Sequence, residues 1–260
     1  MKKICSLLLV FALLCGISNN SITSKAATLG LNQEKLILIK GNTFSLLVSG
    51  TATTPKWSSN KKSVVSVSST GKIKAKKAGS ATITARVGAT KLKCKVTVKN
   101  RKGKKGSKTN PKSAYKKNTF TYYEEGKKKG KFSLKLLNFS TGVEAAAMAA
   151  KNKSNPIPSE NQEYIYFKFK MKYISGSQTL KAKQMFDYYH NIYGDNGTRK
   201  LKNIDWGFFF EPIDDLGTTR LSPGNSSTCG KAILIEKGHY PIMFRIQTGK
   251  NSYTWFTTAK

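Results

Sequence analysis

Apolar and polar residues alternate with a period of two through much of the chain, which predicts short β-strands with one buried face. In Lys91–Val98 the residues Leu, Cys, Val and Val take every second position, and lysine or threonine stands between them. In Tyr164–Ile174 large apolar residues take one face, and Tyr166 and three lysines take the other. Gly, Ser, Asn and Pro clusters separate such runs. The predicted fold class is therefore all-β, with antiparallel strands packed as sandwiches.

One short helix is predicted among these strands. Thr141-Gly142-Val143-Glu144 has the spacing of a capping box, in which the Thr and Glu side chains bond the first backbone N–H groups of a helix. The helix formers Ala145–Ala150 follow, and Lys151 would lie near the negative C-terminal end. We expect the helix near residues 142–151.

Composition divides the chain into four parts. Residues 1–26 join Lys2-Lys3, a short apolar run and small residues near Ala26, which is typical of a cleaved secretory signal, with lipidation at Cys15 as an alternative. Residues 99–118 contain basic and polar residues without an acid, so we expect an unordered Lys-rich linker. Residues 27–98 and 119–260 are the two predicted domains. No further apolar run is long enough to predict a transmembrane anchor.

The stretch Trp57–Ala85 closely resembles the bacterial immunoglobulin-like domain, group 2. That family's motif runs Trp-Ser-Ser-Asn, then Ser-Val-x-x-Val-Ser, then x-Gly-x-Ile-x-Ala-x-x-x-Gly-x-Ala-x-Ile-x-Ala. The matching residues are Trp57, Ser58, Ser59, Asn60, Ser63, Val64, Val67, Ser68, Gly71, Ile73, Ala75, Gly79, Ala81, Ile83 and Ala85. The resemblance implies an immunoglobulin-like β-sandwich for residues 27–98, with Trp57 buried between its sheets. It implies no particular ligand.

The second half resembles, more loosely, a secreted telokin-like immunoglobulin-fold family of unknown function. The family's alternating strand, Asp-x-x-Gly-like turn, Leu-x-Pro-Gly-x-Ser segment and apolar strand fall at Ile165–Tyr173, Asp195–Gly197, Leu221–Ser226 and Ala232–Ile235. The turn is one residue shorter than the family's spacing. The resemblance implies a second immunoglobulin-like β-sandwich over residues 119–260, joined to the first by the basic linker.

Charge is the strongest functional signal. The chain of 260 residues carries 46 Lys and Arg against 13 Asp and Glu, a net charge of +33. Between Ala27 and Ser113 the only acid is Glu34. A solvated face normally mixes both signs, so an excess of one sign indicates a polyanionic partner, although a plain soluble face remains the alternative.

The predicted polyanion-binding residues lie on one strand face and in the adjoining linker. They are Lys91, Lys93, Lys95, Lys99, Arg101, Lys102, Lys104, Lys105, Lys108, Lys112, Lys116 and Lys117. The expected partner is an anionic cell-wall polymer, such as a teichoic-acid-like chain, or a glycan. Other cell-surface proteins are a further possible class of partner.

The sequence gives only weak indications of a catalytic or metal-binding site. No nucleophile elbow or zinc-binding helix motif is present, and His190 and His239 are isolated. The acidic cluster Asp205, Glu211, Asp214 and Asp215 could hold calcium through hard oxygen ligands, or could pair with lysines. We expect no cofactor and no enzymatic activity. Cys94 and Cys229 are expected as two reduced thiols, with an interdomain disulfide as the alternative.

These features together predict an exported, cell-wall-associated and monomeric protein with a non-enzymatic role in surface binding or adhesion. Two other classes stay open. One is a secreted enzyme or inhibitor with a site that carries no known motif. The other is an extracellular nucleic-acid-binding matrix protein, since lysines interleave with aromatic residues in Tyr164–Tyr173.

Overall fold

A computed structural model describes residues 28–151, 153–185, 192–201 and 219–260 of the chain. The N-terminal half consists of nine strands in the described residues. They are β1 (Gly30–Leu31), β2 (Lys35–Ile39), β3 (Thr43–Ser45), β4 (Val48–Ser49), β5 (Lys56–Ser59), β6 (Val65–Val67), β7 (Lys72–Ala75), β8 (Gly79–Val87) and β9 (Thr90–Lys99).

Two sheets enclose the core of this half. One has the order β2-β9-β8-β5, with β2 parallel to β9 and the other pairs antiparallel. The other has the order β3-β7-β6, and β1 pairs with β4 beside them. Apolar residues at alternate positions, such as Ile83 and Cys94 from one sheet and Ile73 from the other, are fully buried. The period-two pattern therefore predicts the buried face correctly.

Trp57 packs against the core but is only half-buried, so the expectation that it is buried between the two sheets is wrong. Its ring packs at the margin of the core and covers Gly71, whose φ of +78° lies in the left-handed region. A Cβ at Gly71 would lie 2.8 Å from the Trp57 ring and 2.4 Å from the Leu46 carbonyl oxygen. Glycine at this turn lets the tryptophan close over the strand end.

The C-terminal half consists of eleven strands and one short helix in the described residues. They are β10 (Lys112–Ser113), β11 (Asn118–Glu124), β12 (Lys127–Thr141), α1 (Gly142–Ala149), β13 (Gln162–Gly176), β14 (Leu180–Lys181), β15 (Ile192–Gly194), β16 (Arg199–Lys200), β17 (Arg220–Leu221), β18 (Ser226–Glu236), β19 (Met243–Gly249) and β20 (Ser252–Thr257). Single turns of 3-10 helix occupy Ala182–Met185 and Asp195–Gly197. Both halves are all-β, as the sequence predicts.

Aromatic side chains build the core between the two larger sheets of this half. The sheets have the orders β11-β12-β13-β18 and β10-β20-β19-β15-β16. Phe132 stacks on Tyr173 with ring centroids 4.1 Å apart, and Phe169 meets Phe244 edge to face at 5.6 Å. The strand predicted at Tyr164–Ile174 is the central part of β13, and its apolar face lies in this core.

The predicted helix is present, but without the predicted capping box. Thr141 is the N-cap residue in extended backbone and its side chain makes no capping hydrogen bond. The Glu144 carboxylate instead accepts a hydrogen bond from the Asn138 amide at 3.3 Å. Ala145 and Ala149 pack on the outer face of the sheet, where they bury Tyr164 and Tyr166 together with two β18 residues.

The segment 99–118 is ordered, which corrects the expectation of an unordered linker. Lys112–Ser113 adds to the edge of β20 as a parallel strand, and Ala114 is fully buried. The Thr109 hydroxyl donates to the Lys102 carbonyl at 2.7 Å, and the Asn110 amide donates to the Gly103 carbonyl at 3.1 Å. Side-chain-to-backbone hydrogen bonds order this segment, which composition alone does not reveal. The boundaries of the two predicted domains stay a prediction.

The remaining expectations concern a membrane span and residues outside the described ranges. No helix in the described part of the chain has the length and apolar character needed to cross a bilayer. The predicted signal, the acidic cluster from Asp205 to Asp215 and His190 lie outside the described residues.

Candidate polyanion-binding surface

The lysines predicted on β9 point away from the core. Lys91, Lys93, Lys95 and Lys99 are all exposed, while Cys94, Val96 and Val98 between them are buried. Alternate residues of a strand are about 6.6–6.8 Å apart, so the first three charges recur at roughly that interval. The placement expected from alternation is confirmed for these four lysines.

Strand pairing adds three cations that sequence reasoning missed. Arg86 on β8 pairs with Lys91, and Lys56 on β5 pairs with Arg86, which makes a row of three cations across three strands. Lys35 on β2 pairs with Lys95 on the other side of β9. Paired residues share a face of the sheet. We call the six exposed cations the basic face: Lys35, Lys56, Arg86, Lys91, Lys93 and Lys95.

Hydroxyl groups lie within the basic face. Thr82 pairs with Lys95, and Thr84 pairs with Lys93 on one side and Ser58 on the other. Lysine ammonium groups and hydroxyls are both hydrogen-bond donors to anionic oxygens. The surface therefore presents donors from four adjacent strands, about 4.8 Å apart, which suits an extended anionic chain better than a single small ion.

No cation of the basic face makes an ion pair with a described residue. Glu34 is the one acid of residues 28–113, and it lies next to Lys35 on the chain. Its negative charge and, above all, burial raise the pKa of the Cys94 thiol to about 12. The positive charge of the face is thus left almost without compensation.

The cations predicted in segment 99–118 divide into two groups. Five of them are exposed, and their ammonium groups make no ion pair or hydrogen bond with a described residue: Lys102, Lys104, Lys105, Lys116 and Lys117. Arg101 instead donates from Nε to the Lys40 carbonyl at 3.2 Å, and Lys112 is half-buried in β10. The structure therefore uses two of the predicted binding residues to hold the segment against its neighbours.

Lys108 also has a structural contact. Its ammonium lies 5.2 Å from the Tyr193 ring centroid and 5.4 Å from that of Trp255. Arg245 approaches the same rings and lies 4.1 Å from the Tyr253 centroid. These cation–π contacts fix the segment on the outer face of β19 and β20. Arg245 meets Trp255 through the register of β19 and β20, and Lys108 reaches the same rings from the loop before β10, so the sequence carried no signal for these contacts.

The geometry of the N-terminal half agrees with one family. Residues 26–98 match the bacterial Ig-like domain, group 2. This match confirms the resemblance read from Trp57–Ala85, and it covers the basic face. No curated protein matches the chain.

Solved structures show weaker likenesses. An intimin mutant of EHEC O157:H7 is 18% identical with a TM-score of 0.22, over 47% of this chain and 49% of that one, so the likeness spans about half of the intimin structure. Domains 5–6 of the S-layer protein SbsC are 13% identical with a TM-score of 0.25, over 88% and 96%. Human protocadherin-24 EC1-2 is 9% identical with a TM-score of 0.23, over 58% and 87%.

Beyond the bacterial Ig-like domain, His239 lies between carboxylates. Its Nδ1 is 3.0 Å from an Asp195 oxygen, and its Nε2 is 3.7 Å from a Glu236 oxygen, which also pairs with Arg199. The ring is fixed by these contacts. Within the described ranges no group of three or more His, Cys, Asp or Glu side chains is arranged to hold a metal ion.

Both predicted free thiols are confirmed. Cys94 lies in the core of the bacterial Ig-like domain and Cys229 in the core of the C-terminal half, and neither is in a disulfide. Cys229 Sγ lies 3.3 Å from Met171 Sδ. Each thiol therefore acts as a small apolar core group.

Proposed function

We propose that the protein is an exported, non-enzymatic binding protein of the bacterial surface, and that the basic face holds it on an anionic cell-wall polymer or acidic glycan. One observation carries the proposal: six exposed cations surround three hydroxyls on one sheet face, and none is paired with a described carboxylate. The exposed lysines of segment 99–118 extend the positive surface.

The arrangement of charges favours an extended polymer. Neighbouring cations on the basic face extend from backbone positions about 5–7 Å apart, a spacing shorter than the screening length of about 8 Å at physiological salt. Their mutual repulsion is therefore only partly screened, and it weakens when a chain of anions lies along the face. A single anion could neutralise only one or two of the six.

The ordered segment changes how the polymer would be recognised. The sequence favours flexible lysines that respond to charge density alone. Because Arg101, Lys108 and Lys112 hold the segment in place, the basic face and not the segment is the main fixed site in this proposal. The bacterial Ig-like domain is consistent with a non-enzymatic binding module at the surface or outside the cell.

The test is sedimentation with isolated bacterial cell walls that carry an anionic phosphodiester polymer. The purified chain should pellet with these walls at low salt and elute near 0.5 M salt, where the screening length is about 4 Å. Walls from which the polymer has been extracted should retain much less. A variant with Lys56, Arg86, Lys91, Lys93 and Lys95 changed to Gln should lose most of the retention.

A matched control variant tests whether retention depends on where the charges lie or only on the net charge of the protein. It changes Lys61, Lys62, Lys72, Lys74 and Lys76 to Gln, five exposed residues of the same domain that lie outside the basic face. Its net charge equals that of the basic-face variant, but it should pellet nearly as the parent does. Equal losses in the two variants would mean that total charge, and not the basic face, holds the protein.

A further inference from the structure

The C-terminal half carries a second surface of unpaired lysines. We call it the C-terminal lysine face, and it consists of Lys131, Lys135, Lys168, Lys170 and Lys172. Four of the five are exposed and Lys168 is half-buried. None makes an ion pair with a described residue. All five lie on the outer side of the sheet β11-β12-β13-β18, opposite its aromatic core.

Register places these lysines unusually close together. Lys135 on β12 lies directly opposite Lys170 on β13, so their Cβ atoms are about 4.5–5.5 Å apart. Lys168, Lys170 and Lys172 follow β13 at intervals of about 6.6–6.8 Å. Like charges directly opposite one another destabilise a sheet. A bound anion between Lys135 and Lys170 would remove that repulsion.

Hydroxyls border the lysines on the next strand. Thr228 on β18 pairs with Lys170, and Ser226 pairs with Lys172. The surface therefore repeats the composition of the basic face, with ammonium and hydroxyl donors on adjacent strands. The two surfaces lie on different halves of the chain, so a long polymer bound to both would contact them with different parts of its length.

The exposure of the aromatic rings on β13 indicates which class of polymer the C-terminal lysine face would bind. Proteins that hold single-stranded nucleic acid combine cations with exposed aromatic rings on which the bases stack. The outward rings of β13, Tyr164 and Tyr166, are 3% and 2% exposed because helix α1 covers them. The lysines of this strand therefore have no accessible ring of β13 beside them, which favours a polymer without bases.

We propose that the C-terminal lysine face is a second binding site for a phosphodiester polymer that carries no nucleobases, so that one protein molecule contacts the polymer twice. This inference rests on the proposed function, because it gives the same polymer a second contact. Two linked sites can raise the overall affinity by about 10²–10⁴-fold over one site. Loss of either face should then weaken binding by more than the loss of scattered charges does.

The test measures the affinity of the purified chain for long poly(glycerol phosphate) at fixed low salt. One variant changes Lys131, Lys135, Lys168, Lys170 and Lys172 to Gln. A matched variant changes Lys151, Lys153, Lys181, Lys200 and Lys250, five exposed lysines of the same half. A third variant changes the five face lysines to Arg, which keeps the charge. Circular dichroism and protection of Cys229 from labelling show that each variant is folded.

The face variant should bind at least about tenfold more weakly than the matched variant, because it loses one of two linked contacts. The Arg variant should bind as the parent does. If the face and matched variants bind equally while the basic-face variant has lost binding, the inference is overturned and the proposed function stands. If the face variant alone loses binding, the C-terminal lysine face is a single site: the site of the proposed function is wrong, and the double contact is overturned with it. Equal affinity for oligo(dT) with the same number of phosphates would overturn the base-free class of ligand.

Discussion

The turn at Gly71 offers a sharp test of the bacterial Ig-like sandwich, because another glycine of the same domain is a matched control. Gly71 and Gly88 have φ values of +78° and +58°, so both lie in the left-handed region. An alanine at either position destabilises the folded state by about 1–2 kcal/mol, because its Cβ disfavours the left-handed region. The same substitution raises the free energy of unfolding by about 0.4–1 kcal/mol, because alanine makes the unfolded chain less flexible than glycine does. These two contributions cancel when Gly71→Ala is compared with Gly88→Ala.

The surroundings of the two glycines differ. A Cβ at Gly88 would meet nothing within 4 Å, whereas one at Gly71 would lie 2.4 Å from the Leu46 carbonyl oxygen and 2.8 Å from the Trp57 ring. The Leu46 N–H also donates to the Gly71 carbonyl at 3.0 Å, so the backbone cannot move away without weakening that bond. Overpacking typically costs about 1–3 kcal/mol. Gly71→Ala should therefore lower the free energy of unfolding by about 1–3 kcal/mol more than Gly88→Ala does.

Equilibrium unfolding in urea measures this difference, with Cys94 labelling as the reporter of the N-terminal sandwich. Cys94 is fully buried in the native state, and peptide mapping separates its signal from that of Cys229. A difference of about 1–3 kcal/mol is a large part of the stability of a small domain. Equal losses in the two variants would refute the packing of Trp57 and Leu46 against this turn.

Two further predictions concern Cys94 and Lys108. Raising the pH above 9.0 should destabilise the N-terminal sandwich by about 1.4 kcal/mol per pH unit, because the unfolded thiol ionises there while the buried thiol, with its pKa raised to about 12, stays protonated. Urea unfolding of Cys94→Ala should lack this part of the pH dependence, and identical curves would contradict the burial. Lys108→Met should cost about 0.5–1 kcal/mol through the lost contacts with Tyr193 and Trp255, whereas Lys105→Met should cost little in the same urea assay.

Local alternation was enough to predict the faces of β9 and β13. Burial of one face forces a period of two, so Cys94, Val96, Phe167 and Phe169 could be assigned to cores without any long-range information. The motif from Trp57 to Ala85 was enough for the fold of the first half. The half-burial of Trp57 was not predictable, because it depends on where the strand end meets the turn at Gly71.

Contacts between distant residues explain what the sequence could not predict. Arg86 and Lys56 are separated by 30 positions, and only the pairing of β5 with β8 makes them neighbours. Lys135 and Lys170 likewise meet through the register of β12 and β13. The order of segment 99–118 comes from polar side chains that bond backbone carbonyls, whereas composition rules consider chiefly how much apolar surface a segment can bury.

The like charges on the two lysine surfaces also affect the stability of the folded protein. Burial fixes the inward residues of β9 and β13 but leaves the outward residues free, so a mixture of Lys and Glu would satisfy the same fold at lower electrostatic cost. The chain instead places Lys91 beside Arg86 and Lys135 beside Lys170, with no described carboxylate paired to any of them. A ligand that binds the folded state alone stabilises it by mass action. If the protein binds a polyanion as proposed, binding would release the repulsion on these surfaces and would couple retention on the polymer to the stability of both sandwiches.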